Sequence, residues 1–377
     1  MTGEASGIAR ALGSIGRRLG AWSRPGHTLE VWKERRSVPE TIFTECCALC
    51  GASGTALVRL PALGTSRDLL TLGDYHVVLC TVCDTARTAP LPSGASLAIA
   101  PDAPAPAMGE LATKLLDRFI AQRVQRVRPL LPTDRNPLVI DVGAGACAFA
   151  NAMARTGCDV IAFEPNGANA TRATSGVRFE AGLFDASAVA AAGIRDASAD
   201  AVTLWHSLEH VPDPVATLAL ARRLLRDGGV LYVSVPNLDS LQADLAREWW
   251  CYLDIPHHVS HFTPLGLHRA IARAGFSSVT HQHWSEEYEI FGFFQSLLNV
   301  LTRSQNYYYN RAKKGRASDA GPYPAWTAYL SAVGPLLLPV ALFGAWLGSA
   351  MAKPACVECS ARAGENSLPG LTVGGTT

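Results

Sequence analysis

Cysteine and histidine, ten of each in 377 residues, supply most of the reactive side chains of this chain, and their spacing separates metal binding from proton transfer. Cys47-Ala48-Leu49-Cys50-Gly51 and Cys80-Thr81-Val82-Cys83 form two C-x-x-C knuckles, about thirty residues apart. Four thiolates so placed can close tetrahedrally on zinc and leave no open position, which is a structural metal site with Cys47, Cys50, Cys80 and Cys83 as ligands. Gly51 suits the turn around the metal. Cys46 is out of register. The competing reading is four reduced, buried thiols; redox chemistry is disfavoured, because neither pair opens a helix after a strand. Five of the histidines fall into two loops, one holding His206 and His210 with Glu209, the other His257, His258 and His261. Imidazole titrates near neutrality and can take the proton of a hydroxyl. His210 is the first candidate base, with His206, His257 and His258 behind it. Glu209-His210 capping a helix near Asp213, and His206 packing through its ring, are the structural alternatives. No spacing enforces a metal on the second loop.

These loops need a scaffold. Leu138–Val142 reads as a strand, Ala148–Thr156 as a helix and Asp159–Phe163 as a strand. Further strands are expected at Val177–Glu180, Ala201–Trp205 and Val230–Val235, with helices at Leu111–Val127 and Ala216–Leu225. Apolar strands alternating with helices imply an α/β fold, doubly wound around a mostly parallel sheet. Gly143 and Gly145 follow the first of these strands, where the chain must turn tightly and let a ligand approach. Glu164 ends the next strand, roughly twenty residues on, where an acid accepts hydrogen bonds from ribose hydroxyls. The glycines alone admit a nicotinamide dinucleotide. Asp141 argues otherwise, since an acid two residues before the turn suits a cationic, amino-acid-bearing nucleoside better than a pyrophosphate.

With these blocks stand Trp205-His206-Ser207-Leu208-Glu209-His210-Val211-Pro212-Asp213-Pro214, Leu224-Leu225-Arg226-Asp227-Gly228-Gly229, Val235-Pro236-Asn237 and Asp254-Ile255-Pro256-His257-His258 with His261-Phe262-Thr263-Pro264. In order and spacing, Pro137 to about Phe276 resembles the class I S-adenosylmethionine-dependent methyltransferases, in the branch with ubiquinone-type and polysaccharide-associated enzymes. The resemblance implies a Rossmann-like, seven-stranded sheet closed by an antiparallel strand, here Ala355–Arg362. Cys356 and Cys359 are then strand side chains. It also implies that Asp141, Gly143 and Gly145 hold the methionine end of S-adenosylmethionine, Glu164 its ribose, and the backbone at Leu183 and Phe184 its adenine. Two positions depart from the pattern: Cys147 replaces the third glycine, and no acid stands at Gly182-Leu183-Phe184. Zinc-ribbon modules precede this domain in some relatives.

The implied reaction is O-methylation of a sugar, glycan or lipid-linked hydroxyl. The alternatives are a quinone-type acceptor, a catalytically weak zinc scaffold that only binds the cofactor, and a nicotinamide-dependent oxidoreductase. A net charge of +1 gives no case for nucleic acid. Dispersed cysteines and the lack of a signal-peptide pattern imply a reducing, cytoplasmic setting. The organisation expected is an extension over 1–40, a zinc-ribbon-like module over 41–100 and a methyltransferase core over 107–285. An apolar helical insertion over 286–352 and a closing strand with tail over 353–377 follow. Ile8, Leu12, Ile15, Leu19 and Trp22 would share one helical face, with Arg10, Arg17 and Arg18 off it. Pro101–Pro106 reads as a linker. Trp326–Met351 is almost wholly apolar and long enough to span a bilayer, although Pro335 and Pro339 interrupt it. Because the chain must return to the same sheet, a re-entrant or monotopic contact with the inner membrane face is expected. The Tyr307–Tyr309 run with Arg311, Lys313 and Lys314 suits such an interface. A buried hairpin or a dimer surface competes.

Overall fold

The computed structural model describes residues 47, 49–52, 57–59, 66–67, 74–91, 110–282, 285–303, 305–306 and 324–364. The expected amphipathic stripe of the N-terminus, the Pro101–Pro106 linker, Cys46, the Tyr307–Lys314 cluster and the C-terminal tail lie outside these residues.

A small antiparallel sheet comes first: β1 (Leu57–Arg59), β2 (Ser66–Arg67), β3 (Asp74–Cys80) and β4 (Thr85–Ala89). Helix α1 (Glu110–Val127) leads into β5 (Leu138–Val142), α2 (Ala148–Ala154), β6 (Asp159–Glu164), β7 (Val177–Ala181), α3 (Ala186–Ala191) and β8 (Ala199–Trp205). Next come α4 (Pro214–Leu224), β9 (Leu225–Pro236), α5 (Leu241–Ala246), β10 (Ser260–His261), α6 (Pro264–Arg273) and β11 (Ser277–Gln282). Two long helices, α7 (Glu286–Thr302) and α8 (Pro324–Ala350), precede β12 (Cys356–Arg362).

The large sheet has seven strands in the order β7-β6-β5-β8-β9-β12-β11. From β7 to β9 all neighbours are parallel, whereas β12 runs antiparallel to both β9 and β11. The strand order reverses at β5 and β8, so the crevice beyond their carboxyl ends is the natural ligand edge. Residues alternate between faces along each strand. Ile140, Val142, Val202, Leu204, Leu231 and Val233 pack under α4 and α6. Val139, Ala201, Val160, Ala162 and Tyr232 pack under α1 and α2. Cys356 and Cys359 are buried strand side chains.

The helices differ from expectation in three respects, and β9, Leu225–Pro236, is longer than the expected Val230–Val235. Asp213 caps α4 by accepting from Ala216 N, with Pro214 in the first turn. Glu209 and His210 are therefore not its cap, and Leu225 already belongs to β9. Helix α2 stops at Ala154; Thr156 Oγ1 bonds Met153 O, and Gly157 turns the chain at φ +84°. Pro335 and Pro339 lie inside the continuous helix α8 instead of breaking it.

The cysteine module is joined to the core. β10 pairs with β4, Val259 O accepts from Thr88 N, and Thr263 Oγ1 donates to Asp84 O. A Cβ on Gly266 would sit 1.9 Å from Thr85 Oγ1. The closing strand is held to the opposite face by a buried ion pair between Glu358 and Arg126, with Tyr232 donating to the same carboxylate at 2.8 Å. Removing one partner of a buried pair strands the other charge, so Glu358→Ala is expected to cost about 3–5 kcal/mol of unfolding free energy. Urea denaturation checks this, and a loss under ~1 kcal/mol would assign the pair no more weight than a surface bridge.

Candidate active site

The carboxyl ends of β5 and β8 meet at one close approach. Gly143 turns at φ +73°, and a Cβ there would lie 2.5 Å from Ser207 Cβ. Gly143 N and Ala144 N both donate to Phe163 O, and Gly145 N donates to Glu164 Oε2 at 2.8 Å, which ties the turn to the end of β6. Glu164 is buried, and its other oxygen accepts from Asn166 N. Open space surrounds the Cβ position of Gly145. Asp141 accepts from Thr203 Oγ1 at 2.7 Å. Burial pushes its carboxyl up to about 6, against the pull of Thr203 and Arg123. Beyond β7, Leu183 is exposed, while Phe184 packs edge-on against Phe163. Cys147, at φ +58°, is completely buried among Phe149, Met153 and their neighbours, so its side chain fills core space.

Arg123 completes this half of the site. It sits on α1 between Ile120 and Val127, the two buried positions of the helix's apolar stripe. Its guanidinium covers the Trp205 ring and is bonded by Glu287 and by Tyr288 at the start of α7. Glu287 and Asp141 hold the arginine charge against burial. Its Nε nonetheless has no partner among the described residues, and neither do Trp205 Nε1 or Ser207 Oγ. Orphaned buried donors at one sheet edge call for a polar ligand. A cation on the apolar stripe of α1 was the sequence signal for Arg123. Tyr288 gave none, because only the fold carries the insertion back to β8.

His206, His210 and His258, three of the four expected histidines, come together around Glu209. Burial would raise this carboxyl, but His206, His210 and His258 hold it at about 2. His206 Nδ1 lies 3.4 Å from Glu209 Oε1, its Nε2 lies 3.3 Å from Ser234 Oγ and 3.6 Å from Cys356 Sγ, and its ring stacks on Tyr288. His258 directs Nδ1 to Tyr252 O at 2.8 Å; burial and His210 lower it to about 4. His210 directs Nδ1 to His257 O at 2.9 Å, and its Nε2 makes no hydrogen bond among the described residues. His257 stands apart at the rim, 3.6 Å from Asp254. His261 bonds Thr88 Oγ1 at 3.0 Å, and burial lowers it to about 3, which makes it a strut of the loop. Glu209, His210 and His258 also bring one ligand atom each within 4.8 Å of the others, a donor set able to hold a cation.

At the cysteine module, the four thiols of Cys47, Cys50, Cys80 and Cys83 lie within 4.8 Å of one another. Sulfur contacts link Cys47 to Cys83 at 3.6 Å and Cys50 to Cys80 at 3.4 Å. Hydrogen bonds from Cys80 and Cys83 lower Cys47 to about 2, and in return Cys80 is raised to about 11 and Cys83 higher still. Only a cation lets all four ionise together.

The glycine turn yields a direct test. Gly143→Ala forces a clash with Ser207 at a left-handed backbone and is expected to cost at least ~2 kcal/mol, whereas Gly145→Ala pays only the backbone term of about 1–2 kcal/mol. Equal losses in thermal unfolding would contradict the close approach.

Residues 113–281 match the family model described as a methyltransferase domain. A ubiquinone biosynthesis O-methyltransferase of Xanthomonas campestris pv. campestris is 36% identical over 104 residues, 26% of this chain and 43% of that protein. One from Cereibacter sphaeroides is 32% identical over 152 residues, 37% of this chain and 60% of that protein. The chain thus spans about half the length of the curated relatives it matches. A solved S-adenosylmethionine-dependent methyltransferase from Archaeoglobus fulgidus overlays with a TM-score of 0.41 at 17% identity, covering 65% of this chain and 94% of that one. Residues 113–281, which hold the parallel part of the sheet and its glycine turn, are those of a methyltransferase domain.

Proposed function

We propose that this chain methylates a hydroxyl group, with S-adenosylmethionine as donor and His210 as the base. The observation that carries this is the set of buried donors without partners, Arg123 Nε, Trp205 Nε1 and Ser207 Oγ, together with buried Asp141 and Glu164 at the carboxyl ends of β5 and β6. Arg123 fits the cofactor's carboxylate, Asp141 its ammonium and Glu164 its ribose hydroxyls. The backbone at Gly143 and Gly145 lets the methionine end approach, and Leu183 with Phe184 offers the adenine an apolar edge. The cofactor supplies an electrophilic methyl group; the protein supplies alignment and proton removal. Among the histidines, His210 combines a partly open position with a free Nε2. His206 is held by Ser234 and Cys356, His258 is buried, and His257 lies at the rim.

The names of the matched relatives favour a phenolic, quinone-type acceptor over the sugar or lipid-linked glycan expected from sequence. Both present a hydroxyl, so labelled methyl transfer to a catechol-type quinone precursor and to a glycan extract separates them. His210→Ala is expected to slow transfer ~10²–10⁴-fold, the usual worth of a general base, with cofactor affinity retained. A variant that stays within a few-fold of wild type would remove His210 from the chemistry. Turnover on either acceptor would also set aside the reading as a zinc scaffold that only binds the cofactor.

The four cysteines fit a structural zinc with no open position. Because β3 and β4 carry two of these ligands' flanks and β4 pairs with the histidine loop, zinc would stiffen the acceptor side. One zinc per chain is expected by atomic absorption, with a lower melting temperature and slower transfer after chelation. Metal-free protein of unchanged melting temperature would contradict this.

A further inference from the structure

Helix α8 is built inside out for a soluble helix. Its small residues face the protein: Ala341 and Ala345 are buried, and a Cβ on Gly344 would lie 2.3 Å from the Phe293 ring of α7. Its large residues face outward, with Leu336 73%, Phe343 61%, Trp346 59% and Val340 50% exposed. Small residues let two helix backbones approach closely where the outer surroundings are apolar. A cluster of large apolar side chains left outward marks an interaction surface.

We infer that this face of α8 docks onto an anionic bilayer surface, to headgroup depth and without crossing. Three observations choose that occupant. First, from Leu336 to Trp346 the outward face offers no side-chain hydrogen-bonding group except the indole N–H of Trp346; a subunit interface carries a polar rim, whereas Trp seats itself at the level of lipid headgroups. Second, the chain leaves from β11 and returns to β12, adjacent strands of one sheet, so both ends of the insertion are on the same side. Val333–Ala350 has the length and composition of a span. Pro335 and Pro339, however, deprive the carbonyls of residues 331 and 335 of their helical donors. Water and headgroups can satisfy these carbonyls; hydrocarbon cannot. Third, Arg303 is exposed at the end of α7, and the connection to α8 carries Arg311, Lys313, Lys314 and Arg316 against the single acid Asp319. Anionic lipid attracts such an excess of cations.

Co-sedimentation of the full chain with vesicles tests this. Phosphatidylglycerol-containing vesicles should bind the protein, with binding weakened by salt and far weaker on phosphatidylcholine alone. Phe343→Glu with Trp346→Glu should lower partition at least about tenfold while leaving the melting temperature unchanged. If that variant fails to fold, wild-type fluorescence provides the readout, because brominated phosphatidylglycerol should quench tryptophan emission. No binding and no quenching would overturn the inference. Equal binding to both vesicle types would overturn its anionic part. A dimer in light scattering that the double substitution makes monomeric would assign the face to a second copy instead.

Discussion

The contact between Gly143 and Ser207 is the constraint on which the site depends. It brings the turn after β5 against the loop after β8, so the glycine turn and the first histidine-bearing loop meet at the carboxyl ends of the sheet. The turn cannot relax sideways, because Phe163 O and Glu164 fix it to β6. A residue with a side chain at 143 would push the two loops apart.

Around that contact the chain concentrates buried charge. Asp141 is held by Thr203 and Arg123, and Glu209 lies 3.4 Å from His206 with no hydrogen bond to either of its oxygens among the described residues. Each of these groups is costly to bury and is tolerated because it has partners or awaits one. Arg123 shows both conditions: Glu287 satisfies part of its fork, and the Nε donor remains unspent. The insertion therefore has two faces. Glu287 and Tyr288, at the start of α7, bond Arg123. The outer face of α8 is apolar.

Most of the sheet was legible in the sequence. Strands buried on both sides read as continuous apolar runs, and the glycines and Glu164 mark the ends where backbone must turn or meet a ligand. The closing strand was also visible, despite a C-x-x-C spacing that mimics a knuckle. The boundaries at Asp213 and Ala154 were less so, since cap geometry decides them. The joining of the cysteine module to the histidine loop was hidden, because the two-residue strand Ser260–His261 leaves no periodic pattern. The convergence on Glu209 was hidden as well: His258 reaches it from a loop some fifty residues downstream through pairing that only the fold supplies.

Titration calorimetry of the full chain with S-adenosylmethionine and, separately, with a nicotinamide dinucleotide tests the central claim most directly. One S-adenosylmethionine should bind per chain, and Arg123→Ala should weaken it by roughly tenfold or more through loss of a charge-assisted bond. The dinucleotide should give no saturable heat. Tight dinucleotide binding with no response to S-adenosylmethionine would contradict the account.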